Sequence, residues 1–140
     1  MRVFIGGVMQ GSNSGRQIAD QGYRRRIADA LKTRWPNVEV IDPFDLHPAS
    51  IDYDDERAKE TLFGMVDLAA ASDLLIAFVP AASMGTALEM WAAYHAGVPV
   101  VTISPLATNW VVRSLSRRVF PDTESFLVHL GRAESPGDLV

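Results

Sequence analysis

The stretch LLIAFVPAASMGTALEMWAAYHAGVPVVTIS, residues 74–104, decides the fold. Leu74 to Val79 is a continuous apolar run, as is Val98 to Ser104 with its five β-branched residues. Runs that are apolar throughout, rather than alternating, belong to strands covered on both faces. Between them Thr86 to His95 reads as a helix, closed by Gly97. A strand, a helix and a second strand within about thirty residues form a right-handed crossover unit, and that unit implies parallel pairing.

The same alternation continues outward. Arg2 to Gly7 (RVFIGG) reads as a first buried strand, ended by glycine. Tyr23, Ile27 and Leu31 fall at i, i+4 and i+8 and mark a helix that stops before Pro36. Val38 to Asp42 is a second short strand. Residues 43–56, rich in Pro and Asp, read as a surface loop. Glu56 to Ser72 suits a helix with apolar positions at Leu62, Met65, Val66 and Ala69. Val111 to Leu115 and Asp122 to Leu130 read as short helices, the latter stopped by Gly131. The expected fold class is α/β: a single-domain doubly wound parallel sheet, flavodoxin-like or Rossmann-like, with about four or five strands. One domain is expected over residues 1–130 and a flexible C-terminal tail over 131–140.

Composition bounds what such a domain does. In 140 residues, 48% are hydrophobic and 21% charged, which describes an ordered globular chain. Net charge is −4 with a pI near 5.3, so there is no electrostatic footprint for a nucleic acid polymer or an anionic membrane. There are no cysteines, hence no disulfides, thiolate metal sites or cysteine nucleophiles. No segment reaches membrane-spanning length and the N-terminus lacks a signal-peptide pattern, so a cytoplasmic protein is expected. His47, His95 and His129 share no ligand spacing, and no metal site is expected.

In a doubly wound sheet, ligands bind at the carboxyl ends of the strands where strand order reverses. Two loops therefore matter. The first, GGVMQGSNSGR, runs from Gly6 to Arg16. Its glycines do not make a G-x-G-x-x-G fingerprint and no Lys-Ser/Thr follows, so neither a dinucleotide nor a Walker-type site is implied and no cofactor is expected. Gly6, Gly11, Ser12, Ser14 and Arg16 nonetheless offer backbone N–H groups, hydroxyls and a charge suited to phosphate or ribose, against the plainer reading of a polar turn. The second is PAASMGTALEMW, residues 80–91. Ser83 and Gly85 precede a helix whose free N–H groups favour an oxyanion, and Glu89 is expected in the first turn. The pattern admits two readings: Thr86 to Glu89 is also a capping box, in which Glu89 only bonds back to the backbone. The run Arg24-Arg25-Arg26 and the pair Arg117-Arg118 read as solvated surface.

Residues 71–110 resemble the signature region of the nucleoside 2-deoxyribosyltransferase family: an acid (Asp73) before an apolar strand, a short loop, Gly85-Thr86-x-x-Glu89 opening a helix, then Gly97-x-Pro99-Val100. With the Gly-Gly strand the likeness covers about residues 2–115. It implies cleavage of the N-glycosidic bond of a nucleoside or nucleoside 5′-monophosphate, with Glu89 as the nucleophile that attacks C1′, and with water or a second base as acceptor. A carboxylate under C1′ suits that chemistry because it stabilises an oxocarbenium-like transition state and can collapse onto it. The family carries Asp where this chain has Ser83. Related 5′-monophosphate N-glycosidases carry Ser there, which points to a 5′-phosphate that a carboxylate would repel. The family's second acid, which helps protonate the leaving base, falls at Met65; the nearest carboxylate, and so the catalytic candidate for that role, is Asp67, about 200° round the helix. The resemblance also implies a homodimer or higher homo-oligomer with shared active sites, into which Asn109 and Arg113 would reach. A non-catalytic nucleotide-binding module on the same scaffold is the alternative.

Overall fold

The computed structural model describes residues 1–10 and 16–140. A five-stranded sheet in the order β2-β1-β3-β4-β5 is parallel throughout. Its strands are β1 (Arg2–Gly7), β2 (Glu39–Ile41), β3 (Leu74–Phe78), β4 (Val100–Ile103) and β5 (Arg118–Phe120). That order is the flavodoxin-like one, with its reversal between β1 and β3. The helices are α1 (Gly22–Arg34), α2 (Pro43–Leu46), α3 (Asp55–Ala70), α4 (Met84–His95), α5 (Trp110–Leu115) and α6 (Thr123–Arg132).

Alternate residues of each strand feed two cores. Val3, Ile5, Leu74 and Ile76 face α1 and α6, packing on Ile27, Leu31, Phe126 and Leu130. Phe4, Leu75 and Ala77 face the other side and pack on Met65, Ala69, Met90 and Ala93 of α3 and α4. The apolar strands are therefore apolar because both faces are covered.

Four differences from the sequence-based expectation have plain causes. Residues 43–56 are not all loop: Asp42 caps α2 through the Phe44 N–H at 3.0 Å, with Pro43 at the first helical position, and a 3-10 turn follows at Ser50–Asp52. β5 has too few residues to show in the apolar pattern, and Arg118 lies in it rather than on a solvated run. α4 begins two residues earlier than expected, because Ser83 takes the cap instead of Thr86. The C-terminal segment expected to be a flexible tail forms a 3-10 turn at Pro136–Leu139. It buries Leu139 completely, and the Asp138 carboxylate accepts from the Glu134 and Ser135 N–H groups at 2.9 and 2.7 Å.

Candidate active site

The two glycines that end β1 make room for two different side chains. Gly6 faces α4: a Cβ there would lie 2.6 Å from Oε2 of Glu89. Gly7 faces α1: a Cβ there would lie 2.1 Å from the Tyr23 hydroxyl, whose ring is stacked on Phe78 at 4.0 Å between centroids. Any larger residue at position 6 would push the carboxyl group out of its place at the end of the strand.

Glu89 thus sits at the strand-order reversal, in the second turn of α4 rather than the first, and is 8% exposed. It is not the closing partner of a capping box. Ser83 caps the helix, its Oγ accepting from the Thr86 N–H at 3.4 Å and lying 2.9 Å from the Thr86 hydroxyl. Among the described residues no donor bonds the Glu89 carboxyl. Burial pushes its pKa up to about 8, with the positive charge of Arg24 pulling the other way.

A cavity of about 300 Å³ opens onto this group. Gly7, Met9 and Gln10 line it from β1 and its loop, Ser83, Gly85, Thr86 and Glu89 from α4. Pro43 and His47 close it from α2, and Tyr53, Leu62 and Met65 from the 3-10 turn and α3. Its apolar lining with a few converging polar groups is typical of a small-molecule site.

The sequence-derived candidates divide around this cavity. Glu89, Ser83 and Gly85 line it, and Gly6 lies directly behind Glu89. Gly11, Ser12 and Ser14 lie outside the described residues. Arg16 is exposed and paired with Asp52 of the 3-10 turn. Asp67 is exposed on α3, and the α3 residue that reaches the cavity at that level is Met65. Asn109 lines a neighbouring apolar cavity of about 200 Å³ that shares Ser83 and Met84 with the first, and its side-chain oxygen caps α5 through the Val111 and Val112 N–H groups. Arg113 is exposed. Asp73 has a structural part, its carboxylate accepting from the Arg2 N–H at 2.7 Å where β3 begins beside β1. Among the described residues, no three His, Cys, Asp or Glu side chains come together to hold a metal.

Sequence reasoning misplaced Arg24. Far from being solvated, it is 2% exposed and runs under the end of β1. Its guanidinium donates to the Ile5 and Gly7 carbonyls at 2.8 and 2.9 Å, to Asp42 at 2.9 Å and to the Gln21 side chain at 2.7 Å. β2 stops opposite Phe4, so these two carbonyls have no strand partner on that side and the guanidinium takes its place. Burial raises the Asp42 pKa although Arg24 stands beside it. The sequence also gave no sign of His47 and Tyr53, whose Nδ1 and hydroxyl lie 3.0 Å apart in the cavity wall.

No known family profile matches the chain, and no curated protein matches it in sequence. Solved structures do match. A 2-deoxyribosyltransferase from the psychrotolerant bacterium Bacillus psychrosaccharolyticus superposes with a TM-score of 0.67 at 14% identity, over 96% of this chain and 91% of that one. The CMP N-glycosidase BcmB of Clostridium botulinum does so at 0.54 and 20%, over 95% and 100%. An NADH:FMN oxidoreductase reaches 0.54 at 11%, over 99% and 93%. At these identities the likeness is one of fold, and a fold hosts many chemistries. The likeness to nucleoside 2-deoxyribosyltransferases that residues 71–110 carry therefore has its counterpart in three dimensions: the chain shares the fold of a 2-deoxyribosyltransferase and of a nucleotide N-glycosidase along nearly its whole length.

Proposed function

We propose that this chain cleaves the N-glycosidic bond of a nucleoside 5′-monophosphate or nucleoside, through a glycosyl ester on Glu89. The carrying observation is the Glu89 carboxyl itself: buried, without a hydrogen-bond donor among the described residues, seated over Gly6 and facing a cavity of small-molecule size. A structural glutamate would be paired; this one is kept for a ligand. In the ionised state it attacks C1′ as the base departs with the bonding electrons, and water or a second base then takes the sugar. The charge that develops on the sugar ring in the transition state is positive, which favours the carboxylate form of Glu89 at that point.

Ser83 supports a 5′-phosphate. It offers a hydroxyl at a helix start where the backbone N–H groups of Met84 and Gly85 have no partner within α4. The rival reading, a module that binds nucleotides without cleaving them, draws on one observation: Asp67 faces away from the cavity, so Glu89 is the one carboxyl group lining it among the described residues.

Chromatography of free base released from ribo- and deoxynucleosides and their 5′-monophosphates, with and without an acceptor base, tests the reading. Release is expected with monophosphates, falling at least 1,000-fold in Glu89→Gln. Ser83→Asp keeps a good helix cap but places a carboxylate at the phosphate, so KM for monophosphates should rise at least tenfold while that for nucleosides does not. Intact nucleotide bound by a chain that releases no base would favour the rival.

A further inference from the structure

Expelling a nucleobase requires a proton as well as a nucleophile, because a base leaving as an anion is a poor leaving group at neutral pH. The side chains that line the cavity and can ionise are Glu89, His47 and Tyr53. Residues 11–15 contain only glycine, serine and asparagine, so they add no acid to this set. On α3 the cavity meets Met65, while Asp67 is exposed. If Glu89 is the nucleophile, its carboxyl cannot also deliver the proton in the same step.

His47 and Tyr53 come from different elements, the end of α2 and the residue after the 3-10 turn, and meet in the cavity wall. His47 Nδ1 lies 3.0 Å from the Tyr53 hydroxyl, with the rings edge-on at 5.8 Å between centroids. Both are half-buried, with one part held and one part open to the cavity. The Tyr53 ring is itself fixed by Arg57, whose guanidinium lies 4.1 Å from the ring centroid and donates to the hydroxyl at 3.5 Å. The N-terminus of α2 is pinned by the buried Arg24–Asp42 pair, since Asp42 caps that helix. The imidazole is therefore oriented through one nitrogen, which leaves Nε2 for a ligand, the arrangement that general acids and bases use.

We infer that His47 is the general acid that protonates the departing base, with Tyr53 as its positioning residue. The inference rests on the N-glycosidic reading. In the imidazolium form Nδ1–H donates to the Tyr53 oxygen and Nε2–H to a base nitrogen. As the Glu89 oxygen bonds to C1′, the C1′–N bond breaks, its electron pair goes to the base, and the Nε2 proton follows. The imidazole left behind is neutral, still held by Tyr53 through Nδ1–H. It then accepts a proton at Nε2 from the water that attacks C1′, which restores the imidazolium and frees the Glu89 carboxylate. Every proton is accounted for within the pair and one water.

A leaving group that needs no proton separates this role from a structural one. The sugar 5-phosphate of the cleaved nucleotide, carrying 4-nitrophenoxide at C1′, is compared with the nucleoside 5′-monophosphates of that sugar. His47→Gln is expected to lose at least 100-fold in kcat/KM on the monophosphates and less than threefold in kcat/KM on the nitrophenyl glycoside, because that ratio reports cleavage of the C1′ bond and not the later attack of water on the glycosyl ester. Retained cleavage of that glycoside also shows that the variant is folded. Tyr53→Phe should lose about tenfold on the monophosphates alone. Glu89→Gln should lose both activities. Equal losses on both substrates in His47→Gln, or no loss on either, would overturn the acid while leaving Glu89 in place. Base release that survives in Glu89→Gln, or is absent from the wild type, would overturn the N-glycosidic reading and this inference with it.

Discussion

A glutamate that is 8% exposed and has its pKa raised by burial from 4.5 to about 8 carries a thermodynamic cost that depends on pH. Between those two values the folded chain holds a proton that the unfolded chain has already released. Stability must then fall as pH rises through this window, and the loss is complete above about pH 8. The gap corresponds to roughly 4–5 kcal/mol, a large share of what a domain of this size possesses. Gln in this place has nearly the shape of the protonated acid and no charge to desolvate. Glu89→Gln is therefore expected to melt on the order of 10 °C above the wild type at pH 9 and within about 2 °C of it at pH 5, measured by calorimetry across pH. A gap that stays constant with pH would mean that the folded chain keeps Glu89 ionised. The same arithmetic explains the glycine behind it. A site that holds an uncompensated carboxyl group for its ligand gives up stability to do so, and Gly6 is the residue that lets the carboxyl group in.

Among the elements, β1, α1 and α2 join behind the cavity wall that Gly7, Pro43 and His47 line, and one buried ion pair makes that join. Arg24 on α1 satisfies two β1 carbonyls that the short β2 leaves without partners, and Asp42, which it contacts at 2.9 Å, caps α2. Removing the cation strands four acceptors at once, the Gln21 side chain among them. Arg24→Met is expected to lower the unfolding free energy by about 3–5 kcal/mol, read from denaturant midpoints. Arg24→Lys should restore only part of it, since a single ammonium group cannot span the four acceptors. A loss under about 1 kcal/mol in Arg24→Met would show that water replaces the guanidinium. This join also marks where the sequence stops being legible. Three strands stand out as apolar runs because both faces are covered, β2 shows only as the short stretch VEVID at the edge, and Glu89, Ser83 and Gly6 follow from the loops that such a sheet places at its switch point. Arg24 does not stand out, because in a run of three arginines only the packed fold selects the one that turns inward. His47 and Tyr53 are equally silent in sequence: their encounter depends on a four-residue helix and a 3-10 turn inside a stretch that reads as loop.

At the scale of the whole molecule, the fold covers both faces of its sheet and still leaves large apolar side chains outside. Met84 is 85% exposed, Trp91 56% and Trp110 81%, with Leu88, Tyr94 and Val111 also exposed, all on α4 and α5. Residues of this kind on neighbouring helices are more than the scattered exposure of a monomer, and Trp is the residue type that most often anchors an interface. We propose a second copy of the chain as the occupant of this face, which α4 links directly to the cavity through Ser83 and Glu89. Light scattering on the eluting protein is expected to give at least twice the chain's 15.3 kDa. Trp91→Glu combined with Trp110→Glu should give the single-chain mass with an unchanged circular dichroism spectrum, because neither side chain contributes to either core. Base release then separates two kinds of assembly. If Asn109 and Arg113 reach the neighbour's substrate, the dissociated chain should lose at least tenfold in kcat/KM. Full activity in the dissociated chain would mean that each cavity is complete within one copy. In that case Asn109 does no more than cap α5, where its side chain already has two N–H groups to hold.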